Sequence, residues 1–109
     1  MKPTAIPGDV KQNVEEIVER FNRENFRAAD CYYLTRYKGK YLYLDRSDYG
    51  KVEPICRLTY TGKMDAWKFA IFKWSSERYD QEEWMFPGSD FVNGTIEGAM
   101  QAGLEAYPA

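Results

Sequence analysis

Val10, Val14, Ile17, Val18 and Phe21 recur at three- and four-residue spacing, which predicts an amphipathic helix over 9–25. Asp9 followed three residues later by Gln12 reads as a capping pair at its start. The opposite face carries Lys11, Glu15, Glu16, Glu19, Arg20 and Arg23, whose mixed signs at helical separations suit a solvated surface. From about residue 30 the period changes to two, and strands are predicted at 30–37, 40–46, 52–60 and 65–75. Their separators, Lys38-Gly39-Lys40, Ser47-Asp48-Tyr49-Gly50 and Thr61-Gly62-Lys63-Met64, are short and turn-forming, which predicts an antiparallel meander. Pro54 removes a ladder donor, so the third strand is expected at an edge or with a bulge near its start.

After Trp74 no steady period holds, and 76–94 reads as a long loop rich in aromatics. Asn93-Gly94-Thr95 then forms a turn and a cap for a final helix carrying Ile96, Ala99, Met100, Gly103 and Leu104 on one face and ending near Tyr107-Pro108. Gly98 and Gly103 each weaken that helix by about 1 kcal/mol relative to alanine, a cost that close approach to a neighbour can offset. The expected fold is α+β: an N-terminal helix, a four-stranded antiparallel meander sheet, a long loop and a C-terminal helix (α-β-β-β-β-α). Residues 1–8 are expected to be a flexible N-terminal arm, and 9–109 a single domain.

Composition narrows the chemistry more than it narrows the fold. With 44% hydrophobic and 29% charged residues the 109-residue chain is globular and large enough to bury a core without staples. Its longest apolar run is Phe69-Ala70-Ile71-Phe72, far short of the ~20 residues of a membrane span. The opening residues lack the apolar stretch of a secretory signal, so the cytoplasm is the expected location, with Cys31 and Cys56 packed as small hydrophobes rather than joined. The absence of histidine removes Ser-His and Cys-His nucleophile pairs, imidazole proton shuttles and Cys/His zinc sites. Neither GxxxxGK[ST] nor GxGxxG occurs. No catalytic, cofactor or metal site is assigned, and enzymatic activity is disfavoured because acids and bases would have to come from carboxylates, tyrosines or lysines with strongly shifted pKa values.

Charge is unevenly distributed. Residues 29–76 carry nine basic and five acidic groups, whereas 77–109 carry one and seven. The sheet is therefore basic and the C-terminal third acidic, although the whole chain has a net charge of only −2. Alternation places Leu42 and Leu44 on one side of the second strand, and Trp67, Phe69 and Ile71 on one side of the fourth. In the third, Cys56, Leu58 and Tyr60 oppose Ile55 and Arg57. If the leucine-rich sides meet the helices, the other face presents Tyr41, Tyr43, Arg57, Lys68, Phe72 and Trp74, the candidate ligand- or nucleic-acid-binding residues. Tyr33 and Tyr37 join them only if Tyr32 and Leu34 point inward.

Three readings of that face compete. It is covered, either by the 76–94 segment with Tyr79, Trp84, Phe86 and Phe91 or by a second subunit. Alternatively, it binds single-stranded nucleic acid, bases stacking on rings while Arg57 and Lys68 follow phosphates. Or it forms a groove for a small ligand or peptide. In a variant of the first, the acidic segment with Asp80, Glu82, Glu83 and Asp90 folds over the basic face and neutralises it. The favoured expectation is a non-enzymatic binding protein that acts through this face or an oligomer interface, with a homodimer or protein partner; single-stranded nucleic-acid binding is the alternative, and a carboxylate-based enzyme comes third.

Two local likenesses accompany these readings. Trp67-Lys68-Phe69-Ala70-Ile71-Phe72-Lys73-Trp74, leading to a loop and a closing helix, resembles the last strand and helix of the positive-cofactor type of single-stranded DNA-binding fold, over about a third of the chain. Those proteins are four strands and a helix and form dimers; the N-terminal helix and acidic loop depart from them. Phe86-Pro87-Gly88 with Gly94-Thr95-Ile96-Glu97-Gly98-Ala99 is similar to the strand-to-helix segment of HicB-type antitoxin domains. No residue role or activity is carried over from either.

Overall fold

The computed structural model describes residues 5–26, 31–82 and 85–108. Helix α1 (Gly8–Asn25) buries Val10, Val14, Val18 and Phe21, the stripe its spacing predicts. Its N-cap is Pro7 with no side-chain cap, so Asp9 does not cap it. Because the helix begins one residue earlier than expected, Asp9 sits in the first turn, where a carboxylate meets the positive end of the helix dipole. Residues 1–4 of the expected arm lie outside the described residues. Ile6 is only 3% exposed, and its N–H donates to the Gly39 carbonyl at 3.0 Å, so the chain is seated before α1 begins.

The sheet has five strands, one more than expected: β1 (Cys31–Lys38), β2 (Tyr41–Asp48), β3 (Lys51–Thr59), β4 (Lys68–Lys73) and β5 (Arg78–Asp80). They lie in the order β1-β2-β3-β4-β5, every neighbouring pair antiparallel. The fifth strand is three residues long, too short to display a period of two, and it is folded back by a turn in which Glu77 takes a positive φ of 52°. Two-residue turns join β1 to β2 and β2 to β3. In the first, Gly39 supplies the positive φ (59°); in the second, Tyr49 (54°) and Gly50 (91°) both do, the backbone twist that suits tight hairpins.

Pro54 sits next to a bulge in a central strand. Leu44 pairs with Cys56 but Asp45 pairs with Pro54, leaving Ile55 as the extra residue. This corrects the expected alternation: Ile55 does not share a face with Arg57 but is buried (2% exposed) beside Cys56, and its side chain lies against Gly103. Both helices cover that inner face. On β1, Asn22 of α1 accepts from the Tyr33 N–H (2.7 Å) and donates to the Tyr33 carbonyl (3.1 Å), blunting an edge strand with a side chain. Glu15 accepts from the Thr35 hydroxyl and the Tyr37 phenol, each at 2.5 Å.

Helix α2 (Ile96–Ala106) starts as expected, Thr95 accepting from the Gly98 N–H at 3.0 Å. Its Gly103 lets Tyr33 lie across the helix and donate to the Met100 carbonyl at 2.7 Å. A Cβ on Gly103 would stand 2.5 Å from that phenol oxygen and 2.6 Å from Ile55, so the close approach expected of the small-residue face is made here. At one end of the inner face Arg46 is buried, its Nε donating to both Asp48 carboxylate oxygens at 3.3 Å and its guanidinium 6.0 Å from the centre of the Tyr33 ring.

Burial pushes the Tyr33 phenol well above its ordinary value, and burial with the nearby Asp45 carboxylate does the same to the Cys56 thiol. Folding therefore favours the protonated forms. The stability they contribute is intact below the unfolded-state values of 9.0 for the thiol and 10.0 for the phenol. It falls as pH rises past them, because the unfolded chain then releases protons that the folded chain holds. The loss approaches about 1.4 kcal/mol per pH unit for each group. With no histidine to titrate, the urea midpoint is expected to be flat between roughly pH 6 and 8 and to drop above about pH 9.5. A midpoint unchanged up to about pH 11 would contradict this.

Candidate functional site

Because the helices take one face of the sheet, alternation leaves the other to side chains alone. Register aligns Arg36, Tyr43, Arg57 and Ala70 in one row across β1 to β4, and Lys38, Tyr41, Thr59 and Lys68 in the next. Phe72 stands opposite Tyr79 of β5. The six residues singled out in the sequence are thus brought to one face. Tyr41, Tyr43 and Arg57 are half-buried, Lys68 is exposed and Phe72 is 9% exposed. Trp74 follows the end of β4 and is 48% exposed at the rim. Tyr33 and Tyr37 belong to the inner face, while Tyr32, Leu34 and Arg36 share the outer one.

These side chains lie down across the face. The rings of Tyr43 on β2 and Tyr79 on β5 have centroids 5.3 Å apart although two strands separate them. At a strand spacing of about 4.8 Å the two backbones are roughly 14 Å apart in a flat sheet, so the rings must lean inward over the middle strands. Room for this comes from Ala70, the small residue opposite Arg57, which is itself 1% exposed. Phe72 continues the cluster, 5.1 Å from Tyr79 and 5.0 Å from Trp74, both edge-on.

Cations are layered onto these rings. The Arg57 guanidinium lies 4.6 Å from the centre of Tyr41 and 5.5 Å from that of Tyr79, with its Nε buried and without a hydrogen-bond partner among the described residues. Arg36 lies 4.3 Å over Tyr43 and pairs with Asp45 through two bonds, Nε to Oδ2 at 3.1 Å and a guanidinium nitrogen to Oδ1 at 3.4 Å. Lys40, in the β1–β2 turn, lies 5.6 Å from the Tyr41 ring. Asp45 is the one carboxylate on the face among the described residues, so Arg36 is neutralised while Lys38, Lys40, Arg57 and Lys68 have no ion-pair partner there. The Tyr79 phenol is pushed upward by burial and then by Asp45, partly opposed by Arg36. It stays a neutral hydrogen-bonding group at ordinary pH.

The 76–94 segment does not cover this face where it is described. Tyr79 joins the face as part of β5, but Phe86 stacks on Phe69 of the inner face at 5.8 Å, Gly88 lies against Ala102 and Glu105, and the Phe91 carbonyl lies against Gly98. Nor, among the described residues, does the acidic stretch neutralise the basic ones: Asp80 approaches Lys73 at 3.9 Å, and Glu82 and Asp90 are exposed. The physical reason is the short β5 strand, which commits the chain to the sheet edge and carries residues 85–95 to the helix side. Glu83 and Trp84 lie outside the described residues. Among those described, no group of three or more Cys, Asp or Glu side chains could hold a metal ion, and no helix is long and apolar enough to cross a membrane.

Sequence reasoning missed Arg36, Lys38 and Asp45, and offered Tyr79 only as part of a covering segment rather than as a strand residue of the face. The first two were within reach, since the pairing of β1 with β2 across Gly39-Lys40 places Arg36 opposite Tyr43 and so on the outer face. Tyr79 had no periodic signal. No family model, characterised protein or solved structure matches the chain. The reading of the face therefore rests on its own geometry.

Proposed function

We propose that this chain is a binding protein rather than an enzyme, and that the outer face of its sheet takes single-stranded nucleic acid. The observation that supports this reading is the uncovered face itself: among the described residues Arg36, Lys38, Arg57 and Lys68 stand against the single carboxylate Asp45, interleaved with Tyr41, Tyr43, Phe72, Tyr79 and Trp74. Unneutralised cations follow phosphates, while rings and guanidinium planes stack on bases whatever their identity. The side chains are already held by one another, so little side-chain entropy remains to be lost on binding. From Lys68 to Trp74 the face runs about 20 Å at ~3.3 Å per residue, enough for several nucleotides of an extended strand.

The competing occupant is a second copy of the chain, which the exposed Tyr32 (37%) and Val52 (55%) favour. A two-fold pairing through this face would, however, bring two basic faces together, an arrangement that costs rather than stabilises. The deciding experiment is a titration with oligothymidylate at low salt, following tryptophan fluorescence, repeated at higher salt with sedimentation in parallel. Quenching that weakens as salt rises is the expected result, Trp74 being the reporter. No response from folded protein would refute the proposal, and concentration-dependent mass would then transfer the face to self-association.

A further inference from the structure

At the Trp74 end of the face the chain turns from β4 into β5, and an open cleft of about 390 Å³ lies there. Trp74, Ile71, Phe86, Pro87, Met85 and Tyr107 form most of its wall. Trp74 belongs to both surfaces, since it also packs edge-on against Phe72 at 5.0 Å, so the outer face and the cleft are continuous through one ring. We propose that this cleft is a subsite for a single unstacked nucleobase of the strand lying on the face, an inference that rests on the nucleic-acid reading above.

Its chemistry suits a base better than a phosphate. Lys73 lines the cleft, but Asp80 lies 3.9 Å from its ammonium and offsets the charge. The Tyr107 hydroxyl donates to the Phe72 carbonyl and is committed to fixing the helix end against β4. Flat apolar walls therefore dominate, with the Ser75 hydroxyl as a polar group for a base edge. The volume lies near the lower end of the ~300–1,000 Å³ range of small-molecule sites, which fits one planar ring system. A base that leaves the face at Trp74 would exchange stacking on its neighbours for stacking on the indole. The phosphates stay behind on the arginine and lysine side.

The test uses the full chain and anisotropy of labelled oligothymidylate. The shortest oligomer that binds fully is remade with a single abasic site at each position in turn. One position is expected to lose roughly tenfold or more in affinity, with losses of only about two- to threefold elsewhere. That one penalty is expected to disappear in Ser75→Leu, which puts a non-aromatic side chain into the cleft from an exposed turn residue and offers no ring for a base to stack on. Equal penalties at every position, or a special position that persists in Ser75→Leu, would overturn the subsite while leaving the face intact. Failure of the unmodified oligomer to bind would overturn the reading of the face as well.

Discussion

Replacing Arg57 by methionine is expected to weaken oligothymidylate binding by about tenfold at low salt and to reduce the slope of log affinity against log salt by about one. Arg57 occupies the middle of the outer face, between the Tyr41 and Tyr79 rings and opposite Ala70. Methionine keeps most of the stem over Ala70, so the change removes the charge and the planar group while conserving much of the packing. Asp45→Asn carries the opposite sign. It frees Arg36 from the bidentate pair at 3.1 and 3.4 Å, and affinity is expected to rise a few-fold. Comparable unfolding midpoints for both variants would confirm that binding, not folding, was read. Unchanged affinity in both would remove the face from consideration as a nucleic-acid surface.

Gly98→Ala is expected to destabilise the fold by about 2 kcal/mol, although alanine is the better helix former by about 1 kcal/mol. A Cβ at this position would lie 2.4 Å from the Phe91 carbonyl oxygen and 2.4 Å from Asn93 Oδ1. Asn93 cannot simply move aside. Its Oδ1 accepts from the Thr95 N–H at 3.1 Å and from the Thr95 hydroxyl at 2.6 Å, and that hydroxyl accepts in turn from the Gly98 N–H. The added methyl therefore pushes on the whole helix cap, for which overpacking at ~1–3 kcal/mol and loss of a cap at ~1 kcal/mol together outweigh the propensity gain. Gly8→Ala is the matched control, because nothing lies within 4 Å of a Cβ there. Its urea midpoint is expected to stay level or rise slightly, whereas a level midpoint for Gly98→Ala would contradict the clash.

Much of the fold was legible because it depends on local patterns. The 3.6-residue period over Val10 to Phe21, the two-residue turns at Gly39 and Gly50, and the Thr95 cap each act within a few residues of themselves. Pro54 announced an edge or a bulge for the same reason, the lost donor being a property of that residue alone, and the central place of β3 left the bulge. What the bulge does to Ile55 was not legible, because one inserted residue reverses the alternation that face assignment relies on. Likewise Arg78–Asp80 is a strand only because Lys73 to Ile71 lie beside it.

Alone, then, the sequence determined an α+β chain with a basic, aromatic sheet, and it determined which chemistries a chain without histidine lacks. Only the tertiary structure decided that both helices cover the same side, that the 85–95 segment packs with them rather than crossing the outer face, and that Tyr43, Arg57 and Tyr79 meet over Ala70. Helix and turn formation are governed by neighbours in the chain. The openness of a sheet face depends on where segments far apart in sequence find their packing partners, and that is settled only when the whole core assembles.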